Sequence, residues 1–168
     1  FMPSFRVELQ TLRPKVTPAA QKGGRNLALK ILRHLPTLEN YITQRDFPAQ
    51  SGTSALSAHL KFGTISPWEV FRALAQNSAG HPMIRQLFWR DFFYHIAVHF
   101  PRIFSENFQT QTQKIIWTKN LPHFKAWCEG RTGFPIVDAA MRELVTTGNM
   151  HNRCRMITAS FLVKDLHL

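Results

Sequence analysis

Residues 83–99 read MIRQLFWRDFFYHIAVH, and this stretch decides the fold class. Ile84, Leu87, Phe88, Trp89, Phe92, Phe93, Ile96 and Val98 fall on nearly every side of a helix, the pattern of a central and buried one. Toward the C-terminus, Pro122 opens a short helix that Gly130 stops, and Pro135 opens the next. There Val137, Ala140, Met141, Leu144 and Val145 stand at i, i+3, i+4, i+7 and i+8 before Gly148, one face of an α-helix. A last helix is predicted from about Met150 to the final residue, still apolar through Phe161, Leu162, Val163, Leu166 and Leu168.

On the other side, Asn77 to Pro82 reads as a loop. Before it, Ser66-Pro67-Trp68-Glu69 is a capping box with Pro at the first helical position, opening a helix with Val70, Phe71 and Leu74 on its apolar face. Residues 36–52 are turn-rich and give way to short helical signals. Leu27, Ala28, Ile31, Leu32 and Leu35 make one helical stripe, with Arg25, Lys30 and Arg33 mostly off it, and Pro36 ends the element. Residues 1–22 read as a tether broken by Pro3, Pro14 and Pro18. Period-two alternation, internal repeats and low-complexity tracts are absent, so the expected fold is all-α: a tether over 1–22 and a multi-helical domain over 23–168. The apolar helix at the end and the opening Phe1-Met2 make a fragment the expectation.

Twenty-one Lys and Arg against ten Asp and Glu give a formal charge of 21 − 10 = +11. With 44% hydrophobic and 12% aromatic residues, the chain is no disordered basic tail. The charge favours an anionic partner, nucleic acid first and an anionic membrane surface second. No run approaches the roughly 18 apolar residues of a membrane span. Two cysteines, Cys128 and Cys154, make no disulfide framework and favour a reducing, intracellular compartment.

Three segments can carry chemistry. Gly52-Thr53-Ser54-Ala55-Leu56-Ser57 gathers hydroxyls and free N–H groups at a helix start, which suits an anion, although plain capping by Thr53 or Ser54 explains it as well. In Gln86 to Tyr94, Gln86 and Trp89 share a helix face able to stack a base and hydrogen-bond its edge; an aromatic core helix with Arg90 and Asp91 paired is the competing reading. Met150-His151-Asn152-Arg153-Cys154-Arg155-Met156 places two Arg and a His where phosphates could be met, or forms a solvated basic face. Cys154 among these bases has a case for a lowered thiol pKa, but with no His–acid constellation it reads as packing. The eight His show no metal-ligand spacing, so no metal is expected. Trp117 and Trp127 are candidates for electron transfer or for core packing.

Taken in order, these segments resemble the flavin-binding helical domain of the DNA photolyase and cryptochrome family. The strings are Arg45-Asp46-Phe47-Pro48, Gly52 to Ser57, Trp89-Arg90-Asp91-Phe92-Phe93, Arg131-Thr132-Gly133-Phe134-Pro135-Ile136-Val137-Asp138-Ala139-Ala140-Met141-Arg142 and Met150 to Ile157. The match runs from about Tyr41 to Leu168 and is closest to bacterial-type photolyases that repair cyclobutane pyrimidine dimers. The resemblance implies FAD as cofactor, held by Tyr41, Thr53, Ser54, Ala55, Leu56, Ser57, Arg90, Asn152 and Arg155. It implies DNA containing pyrimidine dimers as partner, met by Gln86, Trp89, Arg90, Phe93, Asn152 and Arg153, with Trp89 stacked on the flipped-out dimer. Trp117 matches the exposed terminal Trp of the chain that photoreduces the flavin. In the family, excited reduced FAD gives an electron to the dimer, the ring splits and the electron returns, a carbon–carbon lyase reaction in the complete protein. A cytoplasmic, nucleoid-associated protein without a membrane partner follows.

Departures from the family pattern bear on lesion type. Gln86 stands where dimer repairers usually carry Glu, and Gln is usual in (6-4) photolyases and animal cryptochromes. Trp68 stands where Arg is common, and Asn149 where Trp is usual beside the flavin. The N-terminal antenna domain, the other two photoreduction Trp, the Asp-Gly-Asp flavin contact and the Asn facing the ring have no counterpart in these residues. Weak flavin holding is therefore expected, unless a second chain completes the site. A cryptochrome-like photoreceptor and a flavin-free DNA-binding remnant are the alternatives.

Overall fold

The computed structural model describes residues 22–35, 37–77 and 81–168. The tether expected over 1–22 lies outside these residues except for Lys22. Among the described residues eight α-helices follow in order: α1 (Arg25–Arg33), α2 (Leu38–Gln44), α3 (Ser57–Lys61), α4 (Pro67–Asn77), α5 (Pro82–His99), α6 (Leu121–Cys128), α7 (Pro135–Thr147) and α8 (Asn152–Ser160). Short 3-10 turns occupy Pro101–Phe104 and Thr110–Lys114. Among the described residues there is no strand, so the all-α expectation holds. No helix there is long and apolar enough to cross a membrane.

Two buried cores form. The first joins Ala28, Tyr41, Leu56, Ile65, Val70, Leu74, Met83, Ile84 and Leu87, with the Ile31, Leu32 and Leu35 stripe of α1 packed on it. The capping box that opens α4 is made as the sequence predicts: Glu69 accepts the Ser66 N–H at 2.9 Å, and Ser66 Oγ accepts the Glu69 N–H at 3.2 Å. Arg25 of α1 grips the same carboxylate at 3.0 and 2.5 Å. Its guanidinium, and next the Ser66 N–H, hold the Glu69 carboxyl down to about 2.

The second core joins Val137, Ala140, Met141, Met150, Cys154 and Phe161, with Trp127, Leu144, Ile157 and Leu166 against it. Its entry turn is polar. Asp138 accepts the Thr132 N–H at 2.7 Å, the Thr132 hydroxyl at 2.6 Å and the Gly133 N–H at 3.0 Å, while Arg142 donates twice to the Gly130 carbonyl. The Thr132 hydroxyl is the main reason the Asp138 carboxyl sits below its ordinary value. Gly130 is required there: φ is +62°, and an added Cβ would stand 2.7 Å from the Asp138 carbonyl oxygen.

Three expectations need correction. Residues 36–52 hold a helix, α2, capped by Thr37, whose Oγ1 accepts the Asn40 N–H at 3.3 Å. Its ordinary propensities hide it, and burial of Tyr41 in the first core supplies the stabilisation. Helix α5 is not buried all round: the first core reaches it at Met83, Ile84 and Leu87, while Phe88, Trp89, Phe92, Phe93 and Val98 are exposed, Val98 at 74%, and Ile96 is half-buried. The final helix does not run on to the last residue. It passes at Phe161 into a π-helical turn, Phe161–Asp165, closed by the Leu166 N–H on the Phe161 carbonyl at 3.1 Å.

Candidate functional site

The segment between α2 and α3 builds one wall of a cavity. Gly52 is its tight point, since a Cβ there would lie 2.4 Å from the Gln44 Cβ; glycine alone lets the chain turn back against α2. Ser54 Oγ then accepts the Leu56 N–H at 3.3 Å, and Ala55 takes a left-handed φ of 53°. A left-handed alanine costs on the order of 1 kcal/mol or more and marks a turn held by its surroundings. The turn sets Ser54, Leu56 and Ser57 in the wall of a cavity of about 410 Å³.

Helix α5 supplies the facing wall with Gln86, Arg90 and Tyr94, one turn apart on one face. Leu56, Val70, Met83 and Leu87 make the interior apolar, and Lys61 adds a second cation beside Arg90. Arg90 is held by Asp91 Oδ1 at 2.9 Å and lies 4.5 Å from the centre of the Tyr94 ring. The structural pairing of Arg90 with Asp91 is thus present, and the guanidinium still lines the cavity. Two hydroxyls, two cations and an apolar interior suit an anionic ligand that also carries a flat apolar part.

Trp89, Phe92 and Phe93 form an exposed aromatic cluster, with Trp89 edge-on to Phe92 at 5.5 Å and tilted to Phe93 at 6.2 Å. An indole braced by two rings offers a preset face for stacking. At the start of α8, His151 Nδ1 accepts the Arg153 N–H at 3.2 Å, and the Asn152 side-chain amide donates to the Met156 sulfur at 3.9 Å. Arg155 Nε donates to the Met150 carbonyl at 3.0 Å. Arg153 pairs with Asp46, 107 positions earlier in the sequence, with Nε and Nη2 at 2.9 and 2.8 Å from Oδ1.

Of the residues singled out in the sequence, Ser54, Leu56, Ser57, Gln86 and Arg90 come together in the cavity wall. Tyr41 is instead buried in the first core, with its ring 5.5 Å from that of His81. Thr53, Ala55, Asn152 and Arg155 do not line this cavity. Trp117 is 41% exposed on an extended segment anchored by Thr118, whose N–H donates to the His167 carbonyl at 2.7 Å and whose hydroxyl donates to the Leu166 carbonyl at 3.1 Å. Trp127 is packing: its indole N–H donates to the Thr158 carbonyl at 3.1 Å. Burial pushes the Cys154 thiol up, the reverse of an activated thiolate. Lys61, Tyr94 and Asp46 were missed. Lys61 stands four residues after Ser57 and Tyr94 four after Arg90, a same-face spacing that offered the signal; Asp46 pairs over a distance in sequence that no local pattern encodes.

The family model described as the FAD binding domain of DNA photolyase matches residues 83–168. The deoxyribodipyrimidine photo-lyase of Escherichia coli (strain K12) is 49% identical over 134 residues, covering 75% of this chain and 28% of that protein. A bacterial class III photolyase from Agrobacterium tumefaciens superimposes with a TM-score of 0.82 at 41% identity, over 89% of this chain and 33% of the other. A cryptochrome from Synechocystis sp. PCC6803 superimposes with the same score of 0.82 at 29% identity, over 92% and 35%. The chain therefore spans between 28% and 35% of the length of these relatives.

Proposed function

This chain belongs to the DNA photolyase family through its FAD-binding domain, and from that premise we propose that it forms part of a flavoprotein that repairs cyclobutane pyrimidine dimers in DNA with light. The observation that carries the reading is the cavity between the 52–57 turn and α5, where hydroxyls and cations meet an apolar interior. Those residues fit one part of an FAD. Ser54, Ser57, Lys61 and Arg90 suit its diphosphate, and Leu56, Val70, Met83 and Leu87 suit its flat apolar portions. When bound and reduced, FAD supplies on excitation the electron that opens the cyclobutane ring and is afterwards returned.

The chain's own residues do the positioning. Asp91 fixes Arg90 at the cavity rim. Gln86, on the same face, presents an amide that can hydrogen-bond a thymine edge. Trp89, one turn further along, offers its braced indole to the extruded bases. Asn152 and Arg153 at the start of α8 meet the DNA rim, and Asn152 with Arg155, Thr53 and Ala55 contacts the cofactor, while Tyr41, buried in the first core, supports the site from within. Trp117, partly exposed, is the outer relay for flavin reduction. DNA as substrate places the protein with the nucleoid.

Titration of FAD with the chain, followed by flavin fluorescence anisotropy, tests the reading. A saturable rise that Ser57→Ala and Arg90→Ala both weaken is expected. A rise that neither substitution alters, or no rise at all, overturns the cofactor assignment. Gln86 favours one second reading, a cryptochrome-like photoreceptor. Blue-light cleavage of dimer-containing DNA by the full-length protein excludes it; flavin photochemistry without cleavage supports it.

A further inference from the structure

Helix α8 begins with a charge problem. Its first turn carries Arg153 and Arg155 and no acidic residue, at the helix end where the backbone dipole already places partial positive charge. The missing acid comes from a distant part of the sequence. Asp46, just after α2, accepts both Nε and Nη2 of Arg153 on one oxygen, and Arg45 Nε lies 3.9 Å from the same atom. A carboxylate between two guanidinium groups has the charge and reach of a backbone phosphate oxygen. Both partners are about half exposed, so the pair lies open to an incoming strand.

We infer that Asp46 is an internal stand-in for a DNA phosphate: it holds Arg153 in the free chain, and a phosphate of the bound strand displaces it. This rests on the DNA reading of Arg153 above and assigns to Asp46 a role opposite in sign to that of its neighbours. Asp46 thus steadies the fold and opposes DNA binding through one contact. It orders the Arg153 side chain in advance and lowers the number of phosphates that the free protein attracts.

The test is Asp46→Asn, Arg153→Gln and the double variant. A labelled single-stranded oligonucleotide is bound at several salt concentrations, and thermal unfolding is followed in parallel. Asp46→Asn should lower the unfolding midpoint and yet bind about fivefold tighter at low salt, with the slope of log K against log salt steeper by about 0.7, the share of one phosphate on a single strand. In the Arg153→Gln background the gain from Asp46→Asn should shrink to less than half. Binding by Asp46→Asn no tighter than wild type, or a gain undiminished without Arg153, overturns the proposal while the DNA reading stands. No binding by any variant overturns both.

Discussion

The two halves of the chain are held by different means. Around α1 to α5, the first core is the larger apolar cluster; two buried histidines sit in this half, His81 accepting the Met83 N–H at 3.2 Å and His59 paired with the Thr64 hydroxyl at 2.8 Å, while the Arg25–Glu69 pair and the α4 capping box are exposed. Around α6 to α8, the core is smaller and hydrogen bonds stitch it from within: Asp138 collects the 132–133 turn, Arg142 clamps Gly130, and the Trp127 indole reaches the Thr158 carbonyl. Apolar contact resists loss of volume, whereas a stitched core resists loss of geometry. The first half presents the cavity between the 52–57 turn and α5. The second spends its bonds on fixing where α8 begins.

Substitutions can break this contrast. Leu74→Ala, at a side chain 1% exposed in the first core, should cost about 2–5 kcal/mol in urea unfolding. Gly130→Ala adds a Cβ without removing any apolar volume, in a left-handed conformation against a carbonyl, and should cost roughly 1–3 kcal/mol in the second half. If the alanine at Gly130 proves harmless, the stitched description of that half is wrong. Trp127→Phe keeps most of the ring and loses one hydrogen bond, for about 1 kcal/mol.

Acid sharpens the comparison without a large substitution. Glu69 is held at about 2 against an ordinary 4.5, so its ionised contacts contribute fully above pH 4.5 and are lost as pH falls from there toward 2. The pair is exposed, so the loss is modest. Asp138 also lies below its ordinary 3.8, and its stabilisation fades in the same direction. A stability profile from pH 6 downward should decline for the wild type and decline less steeply for Glu69→Gln, the remainder belonging to the second half. Smallest of all, Val145→Lys should change stability by less than about 0.5 kcal/mol, because this position on the α7 stripe is 66% exposed.

The sequence showed most where a local rule was sufficient. Proline starts, glycine stops, the Ser66–Glu69 box and the spacing of Val137, Ala140 and Met141 all correspond to observed features. It misled where tertiary context decides. The hydrophobicity of α5 is real, yet hydrophobicity states what a face prefers and not what covers it, and only the start of the helix is buried. Helix α2 was hidden because its stability comes from Tyr41 in the first core rather than from propensity. In the cavity, Ser54, Ser57, Gln86 and Arg90 were legible through motif and resemblance. Asp46 was not, because its partner lies more than a hundred residues away and nothing in Arg45-Asp46-Phe47-Pro48 points to it.

The π-helical turn at Phe161–Asp165 has a rotational consequence. In an α-helix each residue advances by about 100° around the axis, so five steps would carry Leu166 well away from Phe161. The wider turn absorbs an extra residue and brings Leu166 back over Phe161, and both side chains reach the second core. The chain then leaves with the Leu166 and His167 carbonyls turned toward Thr118. Inserting one further residue here would act as a twist of about 100° on everything after it. Those two carbonyls would swing off Thr118, and Trp117 would lose its mooring without any change in its own segment.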